Sequence, residues 1–424
     1  MSASRRIEKA VFERVVSPIA AEVIDSPAIA RSMRRYPIVP YAGTSKRSAH
    51  SWLDFFKSIA QQSVVYAACI NKKTIYAFGE PVLIDEGGND VTGASLTSWL
   101  SNFSFSSSIG NGITNFAKCV NVQLETTGFC VCIIRISTVA SVTKVSFSEV
   151  PSGWGLRLRD KESGFNGFII SPSFDDEYLR QNTPDIIPEF PNFKKNEGTL
   201  ISASMISAGG AVNYGRPPAM SACASAFESI LNTNYRSYSS SNAFVPRLIL
   251  EFEAGDATTG PDSSSSSDIA NSSSNSNFAQ EFVMRYTNKG DDPPSIMVTE
   301  RPVGASPVTA IQVNPQTGSD YFEKIQNLND EQIIAAHGCT RRFLGFESAG
   351  GFSKEHFLWD YVVNVEPVID ADRKRFLDWF QSILDELFVM YPALSFLPMR
   401  FSFREPIYEA IREIKETRNG QYNS

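Results

Sequence analysis

The stretch "NYGRPPAMSACASAFESILNTNYRSYSSSNAF", residues 213–244, carries the cleanest periodicity in the chain and constrains the fold most. Ala219, Ala222, Cys223, Ala226, Phe227, Ile230, Leu231, Tyr235 and Tyr238 recur at i, i+3 and i+4, which predicts a helix of more than five turns, about 33 Å long. Pro217 and Pro218 stand at its start, where a missing N–H donor costs nothing. The apolar stripe is narrow and built of small residues. It suits close packing against a second helix, from the same chain or another copy.

A matching helix is written further on. "SDYFEKIQNLNDEQIIAAHG", residues 319–338, contains two capping patterns, Asp320 to Glu323 and Asn329 to Gln332. They predict a helix that breaks and restarts near Asn329 and is closed by Gly338. Between the two helices lie a strand, "VPRLILEFE", a short helix, "FAQEFVMRY", and two apolar runs, "SIMVTE" and "VTAIQVN", which predict a small α/β module over 244–316. The module contains a Ser/Asn/Asp-rich loop, 259–277, too polar to offset the entropy of ordering it.

The flanks read as α+β. A chain of 424 residues is too long for one ordinary core, so two or three units are expected. Residues 1–50 have mixed charge and suit an extended arm. From Ser63 a helix runs to the stop "GEP", then a strand "VLID", the turn "EGGND" and a helix over 113–126. The runs "GFCVCIIRIS", "VTKVSFSEV", "GWGLRLRD" and "NGFIISPS" alternate as strands. Residues 172–212 read as irregular apart from a strand at "GTLISASMI". A long helix is predicted from near Ser353 to Met390, kinked at Pro367, with Phe376, Trp379, Phe380, Ile383, Leu384, Leu387 and Phe388 on one face. Residues 391–424 read as a connection followed by a charged helix, "PIYEAIREIKETRN".

The residues give little support to catalysis. His337 and Cys339 are the one plausible nucleophile pair, but two positions apart across Gly338 they are poorly placed for proton transfer. His337 reads instead as a helix-end histidine favoured by the negative end of the dipole. No C-x-x-C pair occurs among the six cysteines, and Cys130 and Cys132 share one face of a strand as reduced, buried residues. No metal or cofactor is indicated, and there is no phosphate-binding glycine loop; "GNGITN" lacks the last glycine. The carboxylates of "VIDADRKRF" and "DELF" read as solvated or surface-paired. A net charge of −7 argues against tight, sequence-blind binding of nucleic acid. No secretory pattern and no membrane-spanning run is found, so a soluble chain of the cytoplasm is expected.

The order of these parts resembles one family. "YGRPPAMSACASAFESILNTNYRSYSSSNAFVPRLILEF" is similar to the segment of tailed-phage portal proteins in which a YG-x-P turn opens a helix that leads to a strand. "YFEKIQNLNDEQIIAAHGCTRRFLGF" resembles their returning helix and its "Ia.a..vp..llG" ending, and "SVVYAACINKKTIYAFGEPVLI" their early wing helix and strand. The resemblance covers about residues 50–390 in order. Thr340-Arg341-Arg342 departs from the usual valine-proline type sequence, and the Ser-rich loop enlarges the small module.

The resemblance implies a homo-oligomeric ring, a dodecamer in the family, at one vertex of a virion capsid. It implies a wing over 51–216, stem helices over 217–243 and 317–338, a clip over 244–316, a tunnel loop over 339–353, a long wing helix over 354–390 and a short crown or tail over 391–424. The implied partners are double-stranded DNA passing through the channel, the terminase large subunit, the major capsid and scaffold proteins, and head-completion or adaptor proteins, with no membrane. Packaging and ejection of the genome would use the channel, with assembly in the host cytoplasm. On this reading Arg341, Arg342 and Lys354 make sparse phosphate contacts, and Gly345, Gly350 and Gly351 let the loop change shape. The competing role for the arginines is pairing with Glu347 or Glu355. Two rival functions stay open: another ring-forming head–tail adaptor or baseplate protein, and an intracellular cysteine hydrolase built on Cys339.

Overall fold

The computed structural model describes residues 49–85, 90–91, 94–139, 142–159, 166–174, 176–196, 198–209, 214–242, 248–253, 296–301, 315–346, 354–394, 400–404 and 406–407. The chain divides into two compact units, one made of Met1–Phe227 with Asp330–Ser424 and the other of Glu228–Asn329. The second unit is an insertion in the first. Both are mixtures of helix and sheet, so the class is α+β.

The first unit starts with α1 (Ala49–Gln62) and α2 (Val64–Ala77), separated at the buried, extended Ser63. A six-stranded sheet has the order β10-β11-β5-β6-β3-β4. Its members are β3 (Phe103–Ser107), β4 (Gly110–Asn111), β5 (Phe129–Val139), β6 (Val142–Glu149), β10 (Lys194–Asn196) and β11 (Thr199–Ser207). In β5 and β6 the pleat puts alternate residues on opposite faces, and the register pairs Ile134 with Phe147 and Ile136 with Val145. That face is covered by α4 (Ile113–Thr127) and by α10 (Glu366–Met390). The rings of Phe105, Phe116, Phe147, Phe376 and Phe380 meet there, Phe105 stacked on Phe147 at 5.4 Å and Phe147 edge-on to Phe380 at 5.4 Å. Burying five such rings is a large share of the apolar driving force.

Two smaller sheets complete this unit. One has the order β7-β8-β9, built of Gly155–Arg159, Asn166–Ile170 and Asp185–Pro188. Together with β10 and α5 (Asp176–Gln181) it gives order to a segment that reads as irregular. The other has the order β14-β1-β2, and it corrects the expected C-terminal connection. "RFSFR" forms β14 (Arg400–Arg404), antiparallel to β1 (Glu80–Ile84), with β2 (Asp90–Val91) on the far side of β1. Phe401 and Phe403 point inward, so the run alternates as a half-buried strand should. The predicted charged helix lies almost wholly outside the described residues, as do the arm, the "EGGND" turn at its centre, "FAQEFVMRY", "VTAIQVN" and the Ser-rich loop.

The long helix is not simply kinked at its proline. α9 (Lys354–Asp360) passes through a π turn, Tyr361–Val365, into α10, where Pro367 falls in the first turn. Proline cannot donate to a carbonyl four residues back, and a wider turn just before it absorbs the lost bond. Phe376, Phe380, Ile383, Leu384, Leu387 and Phe388 are buried as the spacing predicts. Trp379 is half-buried and donates from Nε1 to Ser204 Oγ at 3.0 Å.

The Tyr-Gly turn before the periodic segment is fixed by close approach. Gly128 ends α4 at φ 85°, and a Cβ on Gly215 would stand 1.9 Å from its carbonyl oxygen. The Tyr214 hydroxyl accepts from Arg157 N at 2.7 Å. A 3-10 turn, Met220–Ala222, then opens α6 (Cys223–Asn242).

The second unit contains the parallel pair β12 (Leu248–Glu253) and β13 (Ile296–Arg301), reached along α6 and left along α7 (Pro315–Ala336). The helices pair side by side. Within the first unit Ser225 Oγ donates to Gln332 Oε1 at 2.5 Å, and within the second Gln326 Nε2 donates to Ser229 Oγ at 2.6 Å. α7 does not break at Asn329, contrary to the capping pattern. Asn329 is buried inside an unbroken helix, so packing overrides its preference for a cap.

Candidate functional site: the end of α7 and the segment after it

Gly338, at φ 63°, ends α7, and the chain turns at once into a second, one-turn helix. Thr340 caps α8 (Arg341–Leu344) by accepting from Phe343 N at 3.2 Å, and Gly345 closes it at φ 90°. Thr340 also donates to the Asp360 carboxylate. Phe343 is buried against Tyr76, 5.0 Å between ring centres. The expected tunnel loop therefore starts as a pinned helical turn. Gly350 and Gly351 lie outside the described residues, as does the side chain of Lys354.

The two arginines differ in setting. Arg341 is exposed, with Nη1 3.0 Å from Glu331 Oε1 on α7 and its guanidinium 6.0 Å over the Phe346 ring. Arg342 donates from Nη1 to the His356 carbonyl at 3.3 Å. Neither expected partner, Glu347 or Glu355, is among the residues with described side chains. Glu331 takes the role for Arg341.

The small residues of the periodic stripe are covered by their own chain: Ala219, Ala222, Cys223 and Ala226 are all buried. Phe227 is half-buried, 6.0 Å from the Phe55 ring, and Ile230 is buried. Leu231 is 47 % exposed, so the open part of the stripe begins there. The side chains of Tyr235 and Tyr238 are not among those described.

Behind α8 lies a cluster of charge that does not stand out in the sequence. Lys73 on α2 has Nζ 3.0 Å from Glu125 Oε2 on α4 and 3.1 Å from Asp372 Oδ2 on α10. His337 Nδ1 faces the same Glu125 oxygen at 3.4 Å, and Arg375 Nη1 holds Asp372 Oδ1 at 3.1 Å. All but Arg375 are nearly devoid of solvent. Asp372 corrects the reading of "VIDADRKRF" as surface charge. The signal for Lys73 lies in its position: it continues the spacing of Cys69, Ile70, Thr74 and Ala77 on the buried side of α2.

Burial and charge set the protonation states. Burial opposes ionisation of Glu125, but the His337 hydrogen bond and the Lys73 charge outweigh it and hold its pKa down at about 2. Burial alone would lower Lys73, yet Glu125 and Asp372 raise it. Asp372 is raised, by burial first and by Glu125 next. His337 is lowered by burial, against the pull of Glu125. It stands at the helix end as expected, but buried, so that desolvation works against the charge the dipole would favour.

No protein-family model matches the chain, and no curated protein matches it. Solved structures do. The chain is similar to one in the virion of a native gene transfer agent particle, at 10 % identity over 94 % of each chain and a TM-score of 0.49. A chain in the neck of the native particle computed with C12 symmetry is 11 % identical over 97 % of this chain and 94 % of that one, with a TM-score of 0.43. An HK97 Family Phage Portal Protein from Corynebacterium diphtheriae is 11 % identical over 82 % of this chain and 95 % of that one, with a TM-score of 0.37.

Among the described residues no imidazole nitrogen is turned to the Cys339 thiol. That thiol points at the His337 carbonyl at 3.8 Å, both it and the Cys69 thiol are free and buried, and His337 Nδ1 is turned to Glu125. Burial pushes Cys223 up to about 12, and the neighbouring Cys339 thiol, with burial second, pushes Cys69 well above its ordinary value. Cys130 and Cys132 lie 3.9 Å apart at sulfur in the sheet core. Among the described residues no group of His, Cys, Asp or Glu is placed to hold a metal ion, and no helix is long and apolar enough to cross a membrane. A cleft of about 570 Å³ beside β3 and β6 is lined by Phe103, Phe105, Ser104, Ser106, Ser146 and Ser148 among others, and carries no ionisable side chain.

Proposed function

We propose that this chain is a ring-forming portal protein of a tailed-phage-like capsid, with a structural and not a catalytic role. One observation carries the reading. A small unit, Glu228–Asn329, is inserted in a larger α+β unit and is entered and left on two long helices that pair side by side. Around a ring, such hairpins would line a bore, with Leu231 and the exposed side of α7 available to neighbours. The order of sequence motifs over residues 50–390 supports the same assignment.

On this proposal residues 51–216 form the wing, 217–243 and 317–338 the stem, 244–316 the clip, 339–353 the tunnel loop, 354–390 the long wing helix and 391–424 the tail. With 39 Lys and Arg outnumbered by 46 Asp and Glu, the chain has no excess of cations to displace counterions from phosphate, which suits a bore that encloses DNA without gripping it. Arg341, exposed at the end of the stem, and Arg342 beside it would give local contacts. A terminase motor would dock on the clip, capsid and scaffold proteins at the wing, and head-completion proteins at the clip later.

The test is the mass and shape of the purified protein. Particle images should show closed rings with a central channel, and native mass should be a multiple of 46.8 kDa, twelve copies being the family expectation. A monomer that stays monomeric as concentration rises excludes the proposal. Rings without paired helices around the bore would favour an adaptor or baseplate protein.

A further inference from the structure

His337 is the one titratable group of the buried cluster whose ordinary range lies near neutral pH, and it stands where α7 ends. Every element around it presents a charged or titratable side chain. α2 presents Tyr66, Cys69 and Lys73, with the Tyr66 ring edge-on at 4.5 Å. α4 presents Glu125, α6 presents the buried thiol of Cys223, and α10 presents Asp372 backed by Arg375. The segment after α7 adds Cys339. Neither ring nitrogen of His337 has a well-formed hydrogen bond among the described residues; Nδ1 faces Glu125 Oε2 at 3.4 Å and Nε2 faces no acceptor.

We propose that His337 is a proton-operated latch that fastens the last turn of α7 to α2, α4 and α10 and releases it when the medium acidifies. The cluster is balanced without a charge on the imidazole: Lys73 and Arg375 oppose Glu125 and Asp372. A proton on His337 adds a positive charge that burial and Lys73 oppose more than Glu125, 3.4 Å from Nδ1, favours it, with no acceptor for the new N–H at Nε2. That state is costly in place and cheap once the turn swings out into water.

Beyond His337 the turn is also pinned by Thr340 on the Asp360 carboxylate and by Phe343 against Tyr76. A Cβ on Gly338 would meet Val368 Cγ2 at 2.7 Å, so the backbone lies hard against α10 and separates as a whole or not at all. Opening that reached α8 would also break the Thr340 bond to Asp360 and withdraw Phe343 from Tyr76, and would then re-aim Arg341 and Arg342. The latch does not require that the protein form a ring.

The direction follows from linkage. His337 binds a proton less readily in place than at its ordinary value of 6.5. The released form therefore takes up the proton first, and the closed form loses ground as pH falls below about 6.5. One proton taken up on opening raises the opening constant by up to about tenfold per pH unit. Glu125 stays charged through this window, since its pKa is held at about 2.

Amide hydrogen exchange of the full chain, corrected for intrinsic rates, tests the latch between about pH 7.5 and about pH 5.5. Residues 330–346 should open more at the lower pH by up to about tenfold per unit below 6.5, while β5 and β6 stay protected. His337→Gln should abolish the rise, and His356→Gln, an exposed control, should keep it. A flat wild-type profile overturns the latch, and so does a rise that survives in His337→Gln. Should that variant fail to fold, His337→Leu, which keeps the contact with Tyr66, replaces it with the same two readings.

Discussion

Lys73 Nζ sits between two carboxylates, 3.0 Å from Glu125 and 3.1 Å from Asp372, with all three side chains almost fully buried. The arrangement joins α2, α4 and α10 through one ammonium group. Replacing Lys73 by Met leaves two buried carboxylates and one remaining cation, Arg375. The expected loss is about 3–5 kcal/mol in urea unfolding, as for other buried pairs deprived of one partner. The double replacement Lys73→Met with Glu125→Leu should cost less than the single one, because the orphaned charge is removed with it. A single variant as stable as wild type would show that the cluster contributes nothing net.

Acid should act on the same cluster through Glu125. Its folded pKa of about 2 lies below the ordinary 4.5. The unfolded chain therefore binds the proton first as pH falls, and the stabilisation, present above 4.5, is lost towards pH 2. Its size is on the order of 3 kcal/mol. Asp372, whose pKa is raised, has the opposite sign and offsets part of this. Glu125→Gln should flatten the acid limb of a stability profile below about pH 4.5, read from urea midpoints.

Much of the fold was legible because the residues that define it repeat with a period. The helix before Gly128 and the buried face of α10 follow from spacing, and "GFCVCIIRIS" from its β-rich run between turn signals; each forms where expected. β14 was missed because five residues of "RFSFR" gain their meaning only from β1, more than 300 positions earlier. The break expected at Asn329 failed for a related reason: a cap pattern reports local preference, and the neighbour helix decides. The arginines after α7 were visible as a pair, but not that a Thr340 cap would wind them into a helix. The charged cluster was hidden because Lys73, Glu125 and Asp372 each look like surface residues, and only the fold places them together.

The Tyr-Gly turn makes a sharp contrast between two glycines. Gly215→Ala would drive a methyl to 1.9 Å from the Gly128 carbonyl oxygen, with Ala208 N at 2.7 Å. Backbone on both sides leaves nothing flexible to yield, so a loss of about 1–3 kcal/mol or more is expected. Gly198, at φ 83° with nothing near its absent Cβ, should lose only the left-handed strain, about 1–2 kcal/mol. Thermal melts of the two variants check the order; a Gly215→Ala protein as stable as Gly198→Ala would mean that the turn can relax.

Arg341 and Arg342 provide the prediction that bears most directly on function. The Arg341–Glu331 pair is exposed on both sides, 46 % and 59 %, so solvent screens it and its loss should cost at most about 1 kcal/mol. Arg342 bonds a backbone carbonyl and leaves Phe343, the buried anchor of α8, untouched. Replacing both by alanine should therefore preserve folding and, on the proposed function, ring formation. If the pair touches passing DNA, rings of the double variant should package or retain DNA less well, and the deficit should narrow as salt rises, because the lost contacts are to phosphate. Rings that fail to form would instead make the arginines part of the subunit contact, and unchanged packaging at low and high salt would remove them from the DNA path.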